Sequence, residues 1–290
     1  MTSTAPTEAV PPPPRAPLSA AGRAARWGDA WELTRALTRR EIRSQYKGSA
    51  LGWLWSLVNP LAMVGTYSLV FKIIFRAPTP EGDPSGLEIY SLFLVTGLIP
   101  WNLFSAGVTG CAGALVGQAA LLSKVYFPRS TVVVAKVLAV AFTSLIEFAV
   151  VLVILLIAGN MVLPWLPVAA MLFGLELAMV LGIGLGLSVC NVYFRDVQYL
   201  LTIGLQLLFY ATPVIYPMTL LVEGGVSQRV LDLFNLNPLT RLMDCWRAVL
   251  YDLRFPAWGD VAYVAGFAAV CLVVGAFVFS RLQGRLVEEL

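Results

Sequence analysis

The chain of 290 residues is 58% hydrophobic and only 13% charged, about half the charged share of a soluble domain, which makes lipid its main solvent. Its 20 Lys+Arg and 17 Asp+Glu leave +3, too little for the basic field that nucleic-acid binding requires. It has no histidine, the commonest metal ligand and general base, and Cys111, Cys190, Cys245 and Cys271 are scattered without C-x-x-C pairing, as small buried hydrophobes are.

Residues 1–26 hold the run Pro11 to Pro14 and no apolar signal-peptide core, so they are expected to form a disordered tail that stays on the chain. Residues 27–50 mix Trp31, Leu33, Leu37 and Ile42 with Arg35, Arg39, Arg40 and Arg43. That pattern predicts an amphipathic helix along the membrane surface, its basic face toward anionic headgroups. Six apolar stretches follow, near 53–75, 90–116, 131–158, 167–190, 198–217 and 261–281, each close to the ~20 residues that cross a bilayer. The expected fold is therefore all-α and polytopic, a single transmembrane domain over 27–290 with no internal repeat. A pore would need a second copy.

Charge sets the expected orientation. Basic residues crowd the chain up to Lys47, whereas the 77–89 connection carries Glu81, Asp83 and Glu88 and no base, so the N-terminus is expected in the cytoplasm. Six spans then bring Lys124, Arg129, Arg195, Arg281 and the C-terminus to the same side. In the 218–260 connection, Asn237-Pro238 reads as a cap and first-turn proline opening an amphipathic helix to about Tyr251, while Pro213 and Pro217 interrupt the stretch before it. Two readings stay open: a re-entrant hairpin buried in protein at the outer face, or a proline kink followed by a surface loop.

None of Lys47, Lys72, Lys124 and Lys136 follows a glycine, so a G-x-x-x-x-G-K-[ST] phosphate loop, and ATP hydrolysis by that route, is excluded. Neither G-x-S-x-G, H-E-x-x-H nor an aspartate cluster for magnesium and a lipid pyrophosphate occurs. No catalytic or metal site is expected, and a membrane enzyme acting on lipid-linked sugar is poorly supported. Tyr67, Phe71 and Phe75 recur at four-residue spacing with Trp53 near the same face, and Gln198, Tyr199, Thr202, Gln206, Phe209 and Tyr210 give the fifth stretch an uncharged polar and aromatic face. Pyranose rings have apolar C–H faces and hydroxyl edges, so these stripes suit the passage of sugar; they also suit interface anchoring and helix packing. Glu147 and Glu176 fall in mid-span, where an unpaired carboxylate is costly. Proton coupling and structural pairing both remain open there, with pairing the preferred reading.

The run Tyr46-Lys47-Gly48-Ser49-Ala50-Leu51-Gly52-Trp53-Leu54-Trp55-Ser56-Leu57-Val58-Asn59-Pro60 resembles the start of the first span in ABC-2 permeases of O-antigen, teichoic-acid, capsule and galactan exporters. Lys124 to Arg129, Tyr193 to Asp196, Thr212 to Pro217 and Asn237-Pro238 agree in order. The resemblance covers the chain from about Trp31 to its end. It implies the membrane subunit of an exporter in the bacterial cytoplasmic membrane, two copies of which pair with two copies of a cytoplasmic ATPase that binds the ATP and magnesium. Its cargo would be a glycan on an undecaprenyl- or decaprenyl-type lipid, with galactan, teichoic acid and O-antigen as the candidate kinds; an ABC-2 exporter of drugs or lipids is the alternative. Lys124, Tyr126, Phe127, Arg129, Tyr193, Arg195 and Asp196 would then face the ATPase. Arg39, Arg40, Arg43, Tyr46 and Lys47 would form the collar where substrate enters, Pro213, Tyr216, Pro217, Asn237 and Pro238 the outer gate, and Trp55 would join the sugar path.

Overall fold

The computed structural model describes residues 20–48, 54–74, 80–123 and 127–285, and every regular element among them is helical. In chain order these are α1 (Ala20–Tyr46), α2 (Trp55–Tyr67), α3 (Tyr90–Gly117), α4 (Ala119–Leu122), α5 (Ser130–Ile157), α6 (Leu166–Tyr193), α7 (Asp196–Tyr210), α8 (Met218–Glu223), α9 (Gln228–Leu236), α10 (Pro238–Arg247) and α11 (Trp258–Leu282).

Four of them, α3, α5, α6 with the 3₁₀ turn before it, and α11, are long and apolar enough to cross a membrane. They coincide with the second, third, fourth and sixth expected stretches. The first stretch is helical in two parts: α2 carries Pro60 inside it and passes directly into a π-helical segment, Ser68–Ile74. The fifth, expected to run to residue 217, stops as a helix at Tyr210. Proline at 213 has no N–H to continue the ladder and disfavours helical geometry in the residue before it. The α7 helix is therefore 15 residues long, or ~22 Å.

The expected tail over 1–26 meets helix earlier than its composition suggests, since α1 begins at Ala20; residues 1–19 lie outside the described residues. The last turns of α1 pack along α5. Thr38 Oγ1 donates to Ala135 O (3.5 Å), Lys136 Nζ meets Glu41 (2.9 Å), and Thr143 Oγ1 donates to Gln45 (3.1 Å). Both residue series rise together, so the two helices run in the same sense there. Leu37 and Thr34 are buried on the packed side, while Arg35, Arg39, Arg40 and Arg43 stay exposed.

The centre of the bundle is α6, which packs on α3 and α11. Small residues set how closely these helices approach. A Cβ on Gly275 of α11 would overlap the carbonyl of Gly182 on α6, and one on Gly184 would lie 2.6 Å from Cys111 Cβ of α3. The interior holds Leu94, Leu103, Leu115, Val133, Leu172 and Met179 at no exposure. The short helix α10 is no surface element: Leu239, Leu242, Met243, Cys245, Trp246 and Arg247 are all buried as it packs on α11, α3 and α6.

Candidate functional site

The molecule has two unlike ends. At one, the end of α6 is tied to its neighbours by side chains. Asn191, buried, donates from Nδ2 to Ala112 O of α3 (3.0 Å) and accepts from the Gln198 backbone N–H of α7 (3.2 Å). The Tyr193 hydroxyl donates to Leu282 O at the end of α11 (2.9 Å). Between those anchors the α6–α7 corner projects outward: Phe194 is 70% exposed, and Arg195 and Asp196 are exposed at the first turn of α7. Of the other connection expected to face an ATPase, Lys124 and Tyr126 lie outside the described residues. Phe127 is half-buried against the core and Arg129 half-buried at the start of α5.

The basic residues of α1 divide at this same end. Arg40 is held by Gln118 at the α3–α4 junction (3.2 Å), whereas Arg39, Arg43 and Lys47 are exposed; Tyr46 closes the helix. Arg39 and Arg43 remain available to an anionic headgroup or phosphate.

A narrow stripe of α7, Val197, Leu201, Leu205, Leu208 and Phe209, is drawn against the bundle. Gln198, Thr202 and Gln206 are exposed with Tyr199 and Tyr210, the last two at 73% and 60%. Phe209 turns inward, its ring 5.3 Å from Trp101 of α3. The second aromatic set is not gathered on α7 but on α2, which also lies against α3. There Tyr67 is half-buried against the core and Trp55 borders a cavity of about 720 Å³ shared with Gln45, Asn102, Thr109, Thr143 and Glu147. Phe71 sits in the π-helical segment, and Trp53 and Phe75 lie outside the described residues.

At the opposite end, the turn after α7 is held from three directions. Asn237 caps α10 by accepting from Leu239 N–H (3.0 Å), and its Nδ2 donates to the Thr212 hydroxyl (2.9 Å) and to Ala211 O (3.4 Å). The Tyr216 hydroxyl donates back to Tyr210 O (2.7 Å). Arg247 donates from Nη2 to Val214 O (2.7 Å) with its guanidinium 4.1 Å from the centre of the Phe93 ring. Pro213 is buried, Pro217 precedes α8 and Pro238 opens α10. The five residues expected at an outer gate therefore lie within one hydrogen-bonded turn and the two helices that flank it.

Sequence reasoning missed the side chains that brace this end. Tyr251 donates one phenolic proton toward both Pro80 O and Leu87 O (2.7 Å each), and burial pushes its pKa up to about 12, so it stays a donor. Asn160 Nδ2 bonds Leu250 O (2.8 Å), and Arg247 is enclosed at 6% exposure. Their partners are 33 to 171 positions away, which no local pattern reveals. Inside the bundle Glu176 is fully buried and accepts from Trp246 Nε1 (3.0 Å), and Trp246 stacks on Phe148 at 4.7 Å. Lys136 pairs with Glu41. Among the described residues no three His, Cys, Asp or Glu side chains are grouped to hold a metal ion.

Residues 32–251 match the ABC-2 type transporter family. The chain is 30% identical over 259 residues to the O-antigen export system permease protein RfbA of Myxococcus xanthus, with 88% of this chain and 94% of that protein covered. It is 28% identical over 266 residues to the protein of the same name in Klebsiella pneumoniae, covering 91% of this chain and 96% of that one. The polysialic acid transport protein KpsM of Escherichia coli is 22% identical over 265 residues, covering 88% and 95%.

Proposed function

The chain belongs to the ABC-2 type transporter family, and on that footing we propose that it is the permease subunit of an ATP-driven exporter carrying lipid-linked polysaccharide across the bacterial cytoplasmic membrane. The relatives reported above are named for O-antigen and polysialic acid, which favours a glycan over the drug or lipid cargo of other exporters. The structural observation that carries the reading is the bare face of α7. The Thr202 hydroxyl donates to Gln198 O of the same helix (3.0 Å). Around it, amide and phenol groups at Gln198, Gln206, Tyr199 and Tyr210 are exposed on a helix next to apolar spans, where lipid cannot satisfy them. A second copy and a hydroxylated polymer passing between the copies would.

In this arrangement α2 and α7 complete six spans with α3, α5, α6 and α11. The basic α1 end lies in the cytoplasm together with both termini, and α10 re-enters from the outer face with its polar turn shielded by protein. The exposed Arg39 and Arg43 meet the phosphates of the lipid carrier. Two copies of a separate ATPase bind ATP and magnesium and press on Phe194 to Asp196 and on the connection before Arg129. Rigid helices running from those corners into the membrane carry the closure to the conduit.

Proteoliposomes holding this chain, its partner ATPase and a polyprenyl-pyrophosphate-linked glycan test the reading. ATP on the α1 side is expected to bring the glycan within reach of a glycan-cleaving enzyme on the other side. ATP turnover stimulated by a drug-like cation and not by the glycan overturns it in favour of the drug exporter; chemical conversion of the glycan by the purified chain alone overturns it in favour of an enzyme.

A further inference from the structure

One carboxylate at the α1 end engages partners from two other parts of the bundle. Glu41 Oε2 receives Lys136 Nζ of α5 at 2.9 Å, and its Oε1 accepts from Gln118 Nε2 at 3.0 Å. The amide oxygen of Gln118 in turn accepts from Arg40 Nη1 at 3.2 Å, so that the four residues form one chain of charge and hydrogen bonds. Gln118 stands at the junction of α3 and α4, at the head of the connection that leads to Arg129. Lys136 reaches Glu41 across α3: its stem covers Gly110, where a Cβ would lie 2.8 Å from Lys136 Cε. Both ends of the pair are about one-fifth exposed, and half-solvated pairs of this kind add little stability. What such a network supplies is a directional link among α1, α3 and α5, added to the neutral hydrogen bonds at Thr38 and Gln45 and to the packing of Leu37.

We propose that Glu41 is a positioning residue for coupled export: with Gln118 and Lys136 it makes the basic α1 helix and the ATPase-facing connection move as one body. The inference rests on the export reading above. When the partner closes on the 119–129 connection, Gln118 is displaced with it, and the carboxylate transfers that displacement to the helix carrying Arg39 and Arg43. Without this network, ATP would still be hydrolysed but α1 would not follow.

The test compares wild type, Glu41→Gln, Lys136→Met and the exchanged pair Glu41→Lys with Lys136→Glu in proteoliposomes with the partner ATPase. Assembly, ATP hydrolysis and glycan exported per ATP are read together. The single variants are expected to assemble and hydrolyse ATP within about twofold of wild type while export per ATP falls about fivefold or more, the size of an ordinary coupling free energy. The exchanged pair should recover most of that loss, which a merely structural role would not do. Wild-type export per ATP in both single variants, or singles that lose assembly and hydrolysis in step with export, overturn the positioning role while leaving the export reading intact. Absence of glycan export from wild type itself removes the export reading, and this inference with it.

Discussion

Glu176 is the residue whose role the surroundings define most narrowly. A buried carboxylate can serve as a proton carrier or as a fixed acceptor, and carriers need a chain of partners that change. Here Oε2 holds the Trp246 indole N–H at 3.0 Å, Oε1 has no hydrogen-bond partner among the described residues, and Trp246 is itself pinned by its stack on Phe148. Glutamine retains a carbonyl acceptor for the indole and has no charge to desolvate. Glu176→Gln is therefore expected to export glycan at close to the wild-type rate and to lose less than about 1 kcal/mol of stability, the worth of one net hydrogen bond. Export abolished in that variant with ATP hydrolysis retained would assign Glu176 to proton movement. The sequence displayed this acid as an anomaly in an apolar run; its partner, 70 positions later on α10, was legible only as one tryptophan among eight. For the same reason Arg247 and Tyr251 passed as ordinary members of an amphipathic helix. Their importance lies in the distant carbonyls they hold.

The elements that were plain in the sequence are those that answer to lipid alone. Runs such as Ser130–Ile157 must be helical and long wherever they sit, and hydropathy finds them without knowing their neighbours. α7 and α10 answer to their neighbours instead. The end of α7 is decided by Pro213 together with the Asn237 side chain 25 positions away, and α10 is buried because α3, α6 and α11 leave room for it. Helix spacing is a similar matter of pairs. Gly275 and Gly266 both lie on α11, yet a Cβ on the first would overlap Gly182 whereas one on the second meets nothing within 4 Å. Gly275→Val should force α6 and α11 apart at a cost of about 3 kcal/mol or more, the upper range of overpacking, and lower the unfolding temperature in detergent markedly. Gly266→Val should leave it nearly unchanged. Equal melting of the two variants would mean that the α6–α11 contact is not set by these glycines.

For the whole molecule, exposure alone does not distinguish lipid from a partner, because two long helices bare themselves almost equally. On α11 the outward residues are Val270, Val273, Val274 and Phe277, with Val273 at 69%. This face asks for nothing but hydrocarbon. On α7, Tyr199 is 73% exposed beside Gln198 and Gln206, groups that in hydrocarbon would lack acceptors and donors. On the export reading proposed above, this polar stripe is the face offered to a second copy. Cysteine placed on each face separates the two environments. In native membranes, Tyr199→Cys is expected to cross-link to its counterpart with a short bifunctional thiol reagent, in the presence of the partner ATPase and at low expression. Val273→Cys, equally exposed, should give only monomer. The resident cysteines do not confuse the readout, since Cys111 and Cys245 are buried and Cys190 and Cys271 are partly so, and the unsubstituted chain supplies their background. Dimer from Val273→Cys and none from Tyr199→Cys would put the interface on α11, and the hydroxyls and amides of α7 would then have to be satisfied by some other partner than a second copy of the chain.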